Sequence, residues 1–72
     1  MPKLFSSQYI VNTLARKGFI FVSQKGSHAK FRKKSDGKIL TVIVPMNKKE
    51  IPLGTFRSIL RQSHLDQENF LV

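Results

Sequence analysis

Three short runs of β-forming residues, separated by two tight turns, are the feature that most limits how this chain can fold. The first run, residues 19–23, is aromatic and β-branched. Residues 27–33 follow after a Lys25-Gly26 turn, and residues 39–44 follow after an Asp36-Gly37 turn. Such runs fit a pleated and largely buried surface. The pattern therefore predicts an antiparallel meander of three strands.

A helix is predicted before the first strand. Ser6 or Ser7 can cap it, and it would run to about Lys17. Gly18 can adopt the left-handed conformation that ends a helix in a Schellman motif, which would bring Phe19 back onto the last buried turn. The residues expected on its buried stripe are Ile10, Val11, Leu14 and Ala15.

A second helix is predicted after the third strand. Pro52 suits its first turn, and the helical pattern continues through Arg61 to His64. Its apolar stripe would be formed by Phe56, Ile59 and Leu60. The order helix, three antiparallel strands, helix predicts one α+β domain over residues 1–72, with both helices on one face of the sheet.

Two apolar features remain outside this simple scheme. Phe19 and Phe21 alternate with Ile20 and Val22, so the sheet face away from the helices should be partly apolar. An exposed patch of that kind often marks a surface for a partner. After the second helix, Asp66 can cap a last short turn. That turn would bury Phe70 and Leu71.

The charge of the chain implies an acidic partner. Thirteen Lys or Arg against four Asp or Glu give a formal charge of +9 and a pI near 10.6. Nucleic acid is the first candidate, because neutralising phosphates releases counterions. An acidic protein, alone or in competition with nucleic acid, stays open. A membrane surface is disfavoured because the cations lie on strands and loops as much as on any helix.

The expected compartment follows from the absence of cysteine and of a long apolar run in the sequence. The chain has no cysteine, which excludes a disulfide framework and a thiolate metal site and permits a reducing compartment. Met1-Pro2-Lys3 leads directly into a polar segment, and no run approaches the roughly 20 apolar residues that span a bilayer. We therefore expect a protein of the cytoplasm.

His28 is the residue with the clearest chemical potential. An imidazole, with an unperturbed pKa of roughly 6.5, can take or give a proton near neutral pH. It could take the 2′-hydroxyl proton of RNA, so that this oxygen attacks the adjacent phosphorus. Lys30 and Arg32 would share its side of the strand and could hold the phosphate, with Lys25 reaching in from the turn.

The residues between Lys25 and His28 suit an approach of the backbone to a ligand. Gly26 has no side chain, so another backbone could come close there. Ser27 could orient the phosphate through its hydroxyl, although bonding to the local backbone is the more usual role of a serine beside a turn. Lys25, Gly26 and Ser27 are therefore candidate substrate-binding residues beside His28.

A second proton carrier and a metal site are not visible in the sequence. The only other histidine, His64, falls at a helix end, where the helix dipole alone would explain it. The four acidic residues do not cluster, and two histidines without cysteine make no recognisable metal set. A metal-free mechanism without a cofactor is therefore favoured, with the general acid unassigned.

At this point the chain resembles a known family. It carries GFIFVSQKGSH over residues 18–28, VP at 44–45 and LGTFRSILRQ over residues 53–62. Together these segments resemble the HicA family of small mRNA interferase toxins. The resemblance implies a fold like a double-stranded-RNA-binding domain, cleavage of mRNA, and neutralisation by a HicB-type antitoxin that covers the His28 face. It also implies that the toxin meets DNA only indirectly, through the complex with its antitoxin.

Carried over by position, the catalytic histidine of the family falls on His28, and its glycine and serine fall on Gly26 and Ser27. One position departs from the pattern. Many relatives have a histidine shortly after the valine-proline pair, where this chain has Asn47. If that histidine is only structural, the amide of Asn47 can replace its hydrogen bonds.

Three functional hypotheses follow. The favoured one is a ribonuclease toxin with His28 as general acid or base. The second is an RNA-binding module without chemistry, since folds of this class recognise duplex RNA by shape and by contacts to phosphates and 2′-hydroxyls. The third is a protein-interaction domain whose charge serves only an acidic partner. Fold analogy does not separate them, because function resides in the site.

Overall fold

The centre of the molecule is a three-stranded antiparallel sheet in a computed structural model, which describes residues 4–71. The strands are β1 (Ile20–Lys25), β2 (His28–Ser35) and β3 (Lys38–Pro45), in the spatial order β1-β2-β3. The meander predicted from the sequence is confirmed. Met1–Lys3, on which the expectation about the start of the chain rested, lie outside the described residues.

Both hairpins close through two-residue turns. Asp36 and Gly37 have φ angles of 52° and 77° and join β2 to β3, which is the primed turn that an Asp-Gly pair favours because its twist matches that of the strands. Between β1 and β2 the turn consists of Gly26 and Ser27. The β1 ladder is interrupted by a bulge between Phe21 and Ser23.

Helix α1 (Ser7–Arg16) begins and ends as its sequence predicts. Ser6 is the N-cap, and its hydroxyl accepts a hydrogen bond from the Tyr9 N–H at 3.1 Å. At the other end Gly18 has a φ of +96°, and the Phe19 N–H donates to the Leu14 carbonyl at 3.0 Å. This is the Schellman ending, and it places Phe19 in the core.

Helix α2 (Leu53–Ser63) follows a loop that crosses back from β3. Pro52 is its N-cap, and the Pro52 carbonyl accepts from the Phe56 N–H at 3.0 Å. The helix ends at His64, which has a φ of +59°. Gln62 extends to the edge of β3, where its Oε1 accepts from the Ile43 N–H at 3.0 Å.

One hydrophobic core lies between the helices and a single face of the sheet. It includes residues from α1, α2, β2, β3 and the loop before α2, so both helices cover the same face, as predicted. The observed α-β-β-β-α order is a compact α+β fold that agrees broadly with a double-stranded-RNA-binding-domain type. The members of this core are Ile10, Leu14, Phe19, Ala29, Phe31, Val42, Val44, Ile51, Phe56, Ile59 and Phe70.

Two details of the predicted core are wrong. Ala15 is exposed, because α1 meets the sheet only along the narrower stripe of Ile10 and Leu14. The 3₁₀ helix at Gln67–Phe70 buries Phe70 as expected but leaves Leu71 61% exposed. A single turn of this kind presents one side chain to the core, so its neighbour faces solvent.

The opposite face of the sheet has no helix packed on it in the described part of the chain. Side chains alternate along β2, so that Ala29 and Phe31 are buried while His28 and Arg32 are exposed. The prediction that this face is partly apolar is confirmed, because Ile20 is 68% exposed on it. We call it the open face and define it by its outward residues: Ile20, Ser23, Lys25, His28, Lys30, Arg32, Lys34, Ile39, Thr41 and Ile43.

Candidate functional site

The turn between β1 and β2 holds the residues next to His28 in a defined backbone conformation. Gly26 has a φ of +60°, and a Cβ added there would meet no atom within 4 Å. The glycine is therefore needed for its backbone angle and not for lack of space. Gln24 donates from Nε2 to the Gly26 carbonyl at 3.0 Å, which ties the turn to its own strand.

His28 is the first residue of β2 and lies between two partner strands. Its Cα pairs with that of Lys25 on β1 and with that of Pro45 on β3. The side chain is exposed, and within residues 4–71 neither ring nitrogen takes part in a hydrogen bond. The strands therefore fix the backbone of His28, while its imidazole is free to meet a substrate.

Three cations predicted to bind substrate share the open face with His28. Lys25 is its direct cross-strand neighbour, and Lys30 and Arg32 follow at two-residue intervals along β2. Lys25 and Arg32 are exposed, and Lys30 is half-buried. The strand period alone produces this row, because alternate side chains point to one face. A single anionic chain could contact all three cations and His28.

Lys33 lies on the other side of β2 and does not join the row of cations. Its Nζ is 5.7 Å from the centroid of the Phe19 ring, so it covers the end of the core by a cation–π contact. The cations of β2 are thus divided between packing and the open face. Only those of the open face are available to a ligand beside His28.

Ser27 contributes its backbone and leaves its hydroxyl free. Its carbonyl accepts from the Met46 N–H at 2.6 Å, which joins the β1–β2 turn to the segment that follows β3. In the described part of the chain the Ser27 hydroxyl has no hydrogen-bond partner. The hydroxyl is therefore open to a ligand.

A buried serine holds the segment after β3 against α1. Ser7 donates from Oγ to the Pro45 carbonyl at 2.6 Å and accepts at the same oxygen from the Lys48 N–H at 3.0 Å. The Ser7 N–H donates in turn to the Lys48 carbonyl at 3.0 Å. We call these three bonds the Ser7 clasp. Because Pro45 pairs with His28, the clasp also fixes the strand end beside the histidine.

A cavity of about 240 Å³ opens beside this clasp. It is lined by residues 6–8, at the N-cap and start of α1, and by residues 46–49 of the loop that follows β3. Asn47 lies in its wall with a φ of +63°. Asparagine tolerates this left-handed angle better than most residues. Ser7 lines the cavity and bonds to Pro45, which pairs with His28. The cavity and His28 therefore lie at the same end of the sheet.

The other ionisable groups considered from the sequence are not brought together. His64 is at the C-terminal end of α2, exposed and in a left-handed conformation. Among residues 4–71, no three histidine or acidic side chains form a group that could hold a metal ion.

Sequence reasoning identified the row on the open face but missed the Ser7 clasp and the cavity. Both depend on contacts between residues about 40 positions apart, which no local pattern reports. The one available signal was Ser6-Ser7 itself. A single serine suffices as an N-cap, so the second one was free for another role.

Comparison with known proteins gives one clear result. A family model described as the HicA toxin of bacterial toxin-antitoxin systems matches residues 8–65. A comparison with curated proteins gives no match. In residues 4–71, neither helix is long and apolar enough to cross a membrane. The matched range includes α1, the whole sheet, the Gly26-Ser27 turn and α2.

Proposed function

Because this chain belongs to the HicA toxin family of bacterial toxin-antitoxin systems, we propose that it is a metal-independent endoribonuclease that cleaves mRNA. His28 acts as the general acid or base of this reaction. The observation that carries the proposal is the exposed, unbonded imidazole at the head of a row of cations on the open face. The toxin works in the cytoplasm, where its substrate is.

The reaction is an internal transfer at phosphorus. Neutral His28 takes the proton of a ribose 2′-hydroxyl, and the 2′-oxygen attacks the adjacent phosphorus. The bond from phosphorus to the 5′-oxygen breaks, and the leaving oxygen receives a proton from solvent or from a group yet to be assigned. The products are a 2′,3′-cyclic phosphate and a free 5′-hydroxyl, so no water is consumed.

The cations hold the substrate and its developing charge. Lys25 is next to His28 across the strands, so it is assigned to the scissile phosphate, where charge-assisted hydrogen bonds are strongest. Lys30 and Arg32 follow along β2 and are assigned to the next phosphates. Gly26 allows the RNA backbone to approach the turn, and the free hydroxyl of Ser27 orients a phosphate oxygen.

The same surface is the target of the antitoxin. A toxin-antitoxin pair requires that the antitoxin stop the toxin, and a HicB-type protein with an acidic surface would do so by covering His28 and the cations. The toxin meets DNA only through that complex. Hydrogen exchange tests this point: binding of the antitoxin should slow exchange across residues 27–32, and unchanged exchange there would contradict it.

The experiment for catalysis compares the two histidines. His28→Asn should lower the rate of RNA cleavage by about 10² to 10⁴-fold, the usual contribution of a positioned proton-transfer group. His64→Asn makes the same change at an exposed helix end that accepts asparagine, and should leave the rate within a few fold. Both proteins are assayed on single-stranded RNA in chelator, beside a DNA oligonucleotide of the same sequence.

The outcomes distinguish the possible functions. Cleavage of RNA but not DNA, with cyclic phosphate ends and loss only in His28→Asn, supports the proposal. Equal cleavage by the parent and His28→Asn would refute the role of His28. Salt-sensitive RNA binding without cleavage would indicate a binding module, and a salt slope near zero would indicate a protein-interaction domain.

A further inference from the structure

The two edge strands of the sheet differ in whether another element forms hydrogen bonds with their outer backbone groups. At the β3 edge, Gln62 of α2 bonds the Ile43 N–H. At the β1 edge, none of the backbone hydrogen bonds that link separate elements within residues 4–71 involves Ile20–Lys25. All six residues of β1 are exposed. An edge strand left in this state is a template for another strand.

The register identifies which groups of β1 face the open edge. The Ile43 N–H points away from β2, toward Gln62. Ile43 and its β2 partner Lys30 are therefore a pair without mutual hydrogen bonds. The N–H and carbonyl of Lys30 consequently point to β1. The residues on either side of Lys30 then bond to β3. Their partners on β1 are Phe21 and Gln24, which therefore direct their N–H and carbonyl groups outward.

The side chains at this edge are apolar and the charge around them is positive. Ile20 is 68% exposed, Phe21 57% and Val22 39%. Lys25 ends the strand, and Arg32 is the cross-strand neighbour of Ile20. An added strand of mixed apolar and acidic residues would cover the exposed apolar side chains with its apolar residues and pair with Lys25 and Arg32 through its acidic ones. RNA offers no comparable apolar surface beyond its bases, and it offers no backbone N–H groups.

We infer that the antitoxin adds an extended strand of apolar and acidic residues to the outer edge of β1, pairing with the backbone of Phe21 and Gln24. This inference rests on the proposed pairing of the toxin with an antitoxin. A second copy of the chain is a poor occupant, because each copy carries +9 and would bring its own lysine and arginine side chains to the edge. The added strand of the antitoxin anchors it beside His28 and the row of cations, without contacting RNA.

A proline variant tests strand pairing directly. Gln24→Pro removes an outward N–H and leaves the β1–β2 ladder intact, since proline is accepted where the N–H faces solvent. Gln24→Ala is the matched control, because it also removes the side-chain bond to Gly26 but keeps the N–H. Binding is measured by titration with the purified antitoxin encoded beside the toxin. We expect at least tenfold weaker binding for Gln24→Pro and at most a twofold change for Gln24→Ala.

A second pair of variants tests the apolar edge. Ile20→Ser and Ile39→Ser make the same change at isoleucines that are 68% and 67% exposed on the open face, one on β1 and one on β3. Only Ile20→Ser should weaken antitoxin binding, by at least fivefold. Equal affinities of the parent, Gln24→Pro and Ile20→Ser would overturn the inference.

Amide exchange gives a measurement that needs no variant. In labelled wild-type toxin, exchange at Phe21 and Gln24 should slow at least tenfold when the antitoxin is saturating. Unchanged exchange at both amides in the complex would overturn the inference. Protection of the same amides in free toxin that increases with the toxin concentration would also overturn it. RNA cleavage by the free parent is measured separately. If the parent does not cleave RNA, the proposed function is refuted, while the binding measurements still test the added strand.

Discussion

The substitution Ser7→Ala should destabilise this protein more than its small change in volume suggests. The Ser7 hydroxyl is buried and makes two bonds, one donated to the Pro45 carbonyl and one accepted from the Lys48 N–H. Alanine keeps the helix and the backbone bond to Lys48. The variant therefore isolates the two side-chain bonds of the Ser7 clasp.

The expected cost follows from what remains after the hydroxyl is removed. Each of the two bonds is worth about 0.5–1.5 kcal/mol when water can replace it, and 1–3 kcal/mol when the former partner stays buried and unpaired. Pro45 is half-buried and Lys48 is exposed, so water reaches part of the gap. We therefore expect a loss of about 2 kcal/mol, against a total free energy of unfolding of roughly 4–11 kcal/mol for a 72-residue chain.

Urea unfolding followed by circular dichroism measures this loss. The matched control is Ser58→Ala on the surface of α2, where the hydroxyl donates to the Gly54 carbonyl at 3.3 Å and accepts from the exposed Arg61 guanidinium at 3.4 Å, both within reach of water. Its free energy of unfolding should change by no more than about 0.5 kcal/mol. A Ser7→Ala loss as small as that of the control would refute the reasoning. Because Pro45 pairs with His28, cleavage by the folded Ser7→Ala variant should also be slower.

Three further changes test separate parts of the molecule. Gly18→Ala should cost about 1–2 kcal/mol in urea unfolding, because its φ of +96° strains any residue with a Cβ. Tyr9→Phe should cost about 1 kcal/mol, because it removes the hydrogen bond from the Tyr9 hydroxyl to the Phe70 carbonyl. The double variant Lys30→Ala and Arg32→Ala should lower the salt slope of binding to single-stranded RNA by about 1.4, or 0.7 for each phosphate that is no longer neutralised.

The double variant and Gly18→Ala each have a control. For the double variant it is Arg57→Ala with Arg61→Ala, two exposed cations of α2 that lie on the helical side of the fold. An equal fall in salt slope for both pairs would mean that RNA is not confined to the open face. Gly18→Asn should be less damaging than Gly18→Ala, because asparagine tolerates left-handed angles; the reverse order would contradict the strain argument.

The fold could be predicted from the sequence because its local signals agree with one another. Ser6 marks the start of α1, Gly18 its end, and Asp36-Gly37 the second hairpin turn, and each occupies that place in the structure. The alternation along β2 then determined which side chains share a face. Turn chemistry, capping and period are all short-range properties, so a single sequence reports them well.

The candidate site could be predicted only in part, for a physical reason. The row of His28, Lys30 and Arg32 follows from strand geometry. The Ser7 clasp joins residues 38 and 41 positions apart, and the coverage of the β3 edge by Gln62 depends on where α2 docks. These contacts depend on tertiary packing, so no window of neighbouring residues contains them.

The geometry also separates inhibition from catalysis in a way that the sequence did not suggest. Under the proposed function RNA and the antitoxin compete for His28 and its cations, since RNA is acidic and the antitoxin is proposed to present an acidic surface to this row. Only a protein strand can use the backbone of Phe21 and Gln24. A variant at the β1 edge should therefore release the toxin from its antitoxin while RNA cleavage continues. A loss of charge in the row should instead weaken both interactions together, because both partners need the same cations.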